Sequence, residues 1–134
     1  MSFNHSVIWI DHQEAHIIYF NPTASESEVI KTRSTHKNLH HKSGNVSGAH
    51  ARPDEHYLHE VIQAVKESKV ILIVGPGSAK LELMKHATKH DHLTAEKVVG
   101  IETVDHPTDG QLLAYAKKYF VRVDALKGDT VITG

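Results

Sequence analysis

Five consecutive aliphatic residues, Val70-Ile71-Leu72-Ile73-Val74, closed by Gly75-Pro76-Gly77, constrain the fold more than any other feature of the chain. A strand with one face in water alternates apolar and polar residues; an unbroken apolar run needs cover on both faces, as in a parallel sheet beneath helical crossovers. The flanking sequence supplies that cover. Leu58, Val61, Ile62 and Val65 recur at helical spacing behind Pro53-Asp54-Glu55, whose acids suit the positive end of a helix dipole. Beyond the glycines, Ser78 is a natural N-cap for a second helix with Leu81, Leu83, Met84 and Ala87 as its apolar side, until His90-Asp91-His92 interrupts. Residues 97–104 read as the next strand, and Pro107-Thr108-Asp109 opens a third helix carrying Leu112, Leu113, Ala116 and Phe120.

The N-terminal third has a different rhythm. Ser6-Val7-Ile8-Trp9-Ile10 stops at Asp11-His12 and is followed by Ala15-His16-Ile17-Ile18-Tyr19-Phe20, a β-hairpin pattern. After Asn21-Pro22, residues 28–33 make a third strand, which completes an antiparallel meander. The order β-β-β-loop-α-β-α-β-α predicts an α/β fold, a mixed five-stranded sheet flanked by helices, while residues 130–133 are not assigned by their pattern. A length of 134 residues suits one domain over 1–134. Residues 34–53 lack regular patterning, and Leu39 and Val46 are their only large aliphatic anchors, so this loop is expected to be mobile.

Composition narrows the chemistry. No apolar run approaches the roughly 20 residues of a membrane-spanning helix, and no secretory signal follows Met1, so a cytoplasmic protein with no membrane partner is expected. The absence of cysteine removes disulfides and thiolate chemistry, leaving any metal to His, Asp or Glu. Thirteen histidines invite a metal reading, but the spacings of His36/His40 and His56/His59 match no familiar zinc pattern; no cofactor and no dedicated metal site are expected. Asp11, Glu14, Glu60 and Asp105 are the acids that a sheet-based nuclease or hydrolase would gather around a divalent metal, although no local motif joins them. Gly75-Pro76-Gly77-Ser78 lies where a strand enters a helix, a place suited to phosphate, but lacks the Walker lysine and the dinucleotide fingerprint; a tight structural turn is expected.

Charge distribution points elsewhere. The net charge is only −1, yet residues 29–53 contain no Asp or Glu. Lys31, Arg33, Lys37, Lys42 and Arg52 cluster there with His40 and His41, forming a local cation suited to RNA phosphate. These seven are the expected RNA-binding residues; no catalytic residue is assigned.

Residues 70–83, followed by Lys97-Val98-Val99-Gly100-Ile101-Glu102-Thr103-Val104, resemble the middle domain of archaeal and eukaryotic peptide-chain release factors and Pelota, and small bacterial translational machinery proteins. In that family a strand ends at a Gly-Pro-Gly-like turn, a Lys-bearing helix follows, and another strand comes next. The resemblance is strongest over residues 54–120 and implies an RNase H-like arrangement. It also implies a partner, the ribosome or ribosomal RNA, met through the basic, His-rich loop. The family's Gly-Gly-Gln, which places water for peptidyl ester hydrolysis, occurs nowhere in this chain, so a non-catalytic translation-associated role is expected. A metal-dependent nuclease or a protein-interaction domain are the alternatives, and the sequence is compatible with a homo-oligomer.

Overall fold

The computed structural model describes residues 3–32 and 54–133, with side chains in the last helix as far as Val123. Five strands, β1 (His5–Ile10), β2 (Glu14–Phe20), β3 (Ser25–Lys31), β4 (Val70–Gly75) and β5 (Val98–Thr103), form one sheet in the order β3-β2-β1-β4-β5. β1, β2 and β3 pair antiparallel, whereas β4 lies parallel to both β1 and β5. The helices are α1 (Glu55–Ala64), α2 (Ala79–His90), the short α3 (His92–Ala95) and α4 (Asp109–Thr133). This is the expected mixed sheet, with residues 130–133 continuing the last helix rather than forming a separate element.

The aliphatic run is covered on both faces. Ile71 and Ile73 join Ile8, Ile10 and Ile17 beneath α1 and α2, where Leu58, Val61, Ile62 and Leu83 complete a core. Leu72 and Val74 point the other way and join Val7, Trp9, Ile18 and Phe20 under Leu112, Ala116 and Phe120 of α4. Alternation along β1, β2 and β4 thus feeds two separate cores, and burial of these chains is the main stabilising term.

Two side chains fix the turns of the meander. Asp11 Oδ1 accepts from the N–H groups of Gln13 at 2.8 Å and Glu14 at 2.9 Å, and Asn21 Oδ1 does the same for Thr23 and Ala24. The tight Asn21 turn sets Phe20 opposite Ser25, so β3 starts three residues before the expected 28–33 span and ends at Lys31. Only Ile30 of β3 is buried, which is why its pattern was weak. In α2, Leu81 is 56% exposed, contrary to the expected apolar side; Ala79, Leu83 and Ala87 form the buried line. Asp91 then ends α2 and accepts from the N–H and hydroxyl of Thr94, starting α3, an element that the sequence pattern had shown only as an interruption.

All four tyrosines of the chain are held above their ordinary pKa, chiefly by burial. Tyr57 donates to Asp11 O at 3.0 Å, and Tyr19 donates to Glu28 and to Ala64 O. The folded state therefore holds its phenol protons more tightly than the unfolded state, whose tyrosines titrate near pH ~10. Stability from these groups is fully present below that pH and falls as pH rises beyond it. Absorbance at 295 nm should lag behind free tyrosine and rise together with loss of the far-ultraviolet circular dichroism signal. Complete tyrosine ionisation near pH ~10 with the fold intact would contradict this arrangement.

Candidate nucleic-acid interface

Because β1, β3, β4 and β5 run in one direction, Ile10, Lys31, Gly75 and Thr103 finish at the same edge of the sheet. The turn at 11–13, the flanking residues Thr32 and Asp54, and the connections at 76–78 and 104–108 meet there, at the carboxyl ends of the parallel strands where open α/β sheets place ligands.

The two roots of the cationic stretch are held side by side at this edge. Thr32 N–H donates to Gln13 O at 2.9 Å, while the Thr32 hydroxyl donates to Asp54 Oδ2. Asp54 is also the N-cap of α1, accepting through Oδ1 from the Tyr57 N–H at 3.2 Å. A hydrogen-bonded crossbar therefore joins the end of β3 to the start of α1. Of the seven expected RNA-binding residues, Lys31 is described: it is exposed on β3 and stands across from Glu14 in the strand register. Arg33, Lys37, His40, His41, Lys42 and Arg52 lie outside the described residues, as does the expected mobile loop.

The edge around the crossbar is acidic and aromatic. Trp9 donates from Nε1 to Asp105 O, with His106 and His16 packed against its ring at 4.9 and 5.6 Å between centroids. His16 bridges Glu14 at 2.8 Å and Asp109 at 3.4 Å, and His12 meets Glu82 at 3.2 Å. Asp11 is engaged in the hairpin turn that follows β1. Among the described residues, Asp11, Glu14, Glu60 and Asp105 do not form a metal-ligand group; the one such group is Glu55, His86 and His90. Sequence reasoning missed it because its members come from two helices, with Glu55 named only as a first-turn acid and His90 only as part of an interruption to its helix.

The glycine turn has a packing explanation. A Cβ on Gly75 would meet Ile10 O at 2.3 Å, so β1 and β4 approach there as only glycine allows. Lys80 folds back to donate to Gly77 O at 2.6 Å and is itself buried, and Ser78 makes no side-chain cap bond.

A three-plus-two mixed sheet with α1 and α2 on one face and α4 on the other defines the class of fold: the RNase H-like arrangement expected for a release-factor-type middle domain. Among solved structures, Pelota from Archaeoglobus fulgidus superposes with a TM-score of 0.62 at 12% identity, covering 88% of this chain and 32% of that one. Pelota from Thermoplasma acidophilum gives 0.59 at 16% identity, covering 84% and 31%, and the archaeal translation termination factor aRF1 gives 0.53 at 13%, covering 76% and 30%. The chain spans about a third of the length of these structures, and the likeness is one of fold. No protein-family model and no curated protein matches the sequence.

Proposed function

We propose that this chain is a non-catalytic, translation-associated cytoplasmic domain that binds ribosomal RNA, or a ribosome-associated partner, through the basic stretch running from Lys31 to Arg52. The observation that carries this reading is the Thr32–Asp54 crossbar, which ties both roots of an acid-free segment to one sheet edge. The fold likeness to Pelota and aRF1 supports a place in translation. Acids at the edge itself, Asp11, Glu14, Asp54 and Asp105, disfavour phosphate there, so the contact falls to Arg33, Lys37, Lys42 and Arg52 with His40 and His41. Lys31, facing Glu14, contributes least. The missing Gly-Gly-Gln leaves peptidyl ester hydrolysis outside the proposal.

Co-sedimentation with ribosomes at low salt and release at high salt is the expected result, because phosphate contacts exchange with counterions. Lys37→Gln with Lys42→Gln should weaken binding and flatten the logarithmic salt slope by about 1–2. Unchanged affinity and slope in the double variant would remove these lysines from the interface. A wild-type chain with no ribosome or RNA affinity at any salt would overturn the reading.

A further inference from the structure

The groove between α1 and α2 carries a second constellation, independent of the RNA reading. Residues four apart on a helix lie one above the other on the same face. α1 presents Glu55 and His59 at that spacing, and α2 presents His86 and His90. One ligand atom from each of Glu55, His86 and His90 lies within 4.8 Å of the others. His86 Nδ1 is 2.9 Å from Glu55 Oε1, the His86 and His90 rings are 4.5 Å apart between centroids, and His59 stands 5.9 Å from His86. The groove has a volume of about 550 Å³ and is also lined by Leu58, Glu82, Lys85 and Lys89.

His86 is the informative member. It is 8% exposed, in a helix position where an aliphatic residue would extend the core, and its Nε2 is buried without a hydrogen-bond partner among the described residues. A buried polar atom of this kind calls for a partner beyond those the described residues supply. Glu55 and His90 are exposed and free to reorient, so modest rotamer changes can draw the three groups toward the ~3.3 Å separation that bonds of about 2.0–2.1 Å to one tetrahedral ion require.

We infer that Glu55, His86 and His90 form a binding site for a divalent transition-metal ion of the zinc type, with the fourth position facing the groove or taken by His59. Two imidazoles and a carboxylate are a borderline nitrogen and oxygen donor set, which suits Zn²⁺ better than Mg²⁺ or Ca²⁺. Thirteen histidines guarantee some weak, scattered affinity, so the test must separate a built site from that background.

The full chain, stripped with a chelator, is titrated with ZnCl₂ against a chromophoric indicator. One tight equivalent is expected. His90→Gln and Glu55→Gln alter exposed side chains and leave folding intact; each should weaken the tight class by at least about 100-fold, beyond the roughly 10–100-fold typical of losing an outer-shell partner. Changing His40 and His41 together to Gln should leave it in place. Cobalt substitution should give the visible absorption bands of a tetrahedral centre, and these should vanish in His90→Gln. A tight class that survives His90→Gln, one that disappears with His40 and His41, or the absence of any tight class overturns the inference.

Discussion

Leu83→Ala is expected to cost about 2–5 kcal/mol of stability, whereas Leu81→Ala, two residues earlier on the same helix, should stay within about 0.5 kcal/mol. Leu83 is fully buried in the core beneath α1 and α2, so truncation removes transfer energy and leaves a cavity that close-packed neighbours fill only in part. Leu81 projects largely into solvent and has little burial to lose. Denaturant melts of the two variants read out the rotational setting of α2. Equal losses, or the larger loss at Leu81, would mean that the helix packs on a different face, and the grouping of His86 and His90 with Glu55 would fall with it.

Gly75→Ala should destabilise the protein by about 1–3 kcal/mol or more through overpacking, despite adding only one methyl group. The new carbon would lie 2.3 Å from Ile10 O, and that neighbour is backbone at the end of a central strand, unable to swing aside as a side-chain tip would. Relief requires β1 and β4 to separate where Trp9 pairs with Val74. Gly77→Ala is the control, since no atom lies within 4 Å of an added Cβ there. A thermal melt should show a marked fall for the first and a much smaller change for the second. Equal tolerance of both would mean that the strands do not approach as closely as described.

The fold was legible where periodicity and burial coincide. The aliphatic run of β4, the hairpin of β1 and β2, and the Leu58-Val61-Ile62-Val65 stripe all lie in the cores they implied. Legibility failed where a tertiary partner sets the outcome. The start of β3 depends on the Asn21 turn and on pairing with β2, because Ile30 alone is buried and gives no period to read. Leu81 was grouped with Leu83 by composition, yet two residues on a helix turn the side chain through more than half a circle. The root of the candidate interface was partly legible: the acid-free stretch stood out, but Thr32 and Asp54 become partners only when β3 and α1 meet. The Glu55, His86 and His90 group was illegible for the same reason, and a polar residue on the inward face of α2 contradicts the binary pattern from which the helix was recognised.

The pairing of β1 with β4 also bears on how the chain reaches this structure. His5 pairs with Val70, so the parallel half of the sheet requires closure of a loop that contains the whole meander, the 33–53 segment and α1. The meander has only short-range closures and is expected to form early, leaving docking of β4 against β1 to set the rate. Loop closure entropy grows with the logarithm of length, about 0.6 kcal/mol for each doubling. Insertions into the 33–53 segment therefore change the refolding barrier by far less than their bulk suggests, and this part of the chain can vary in length and sequence while the same sheet still assembles.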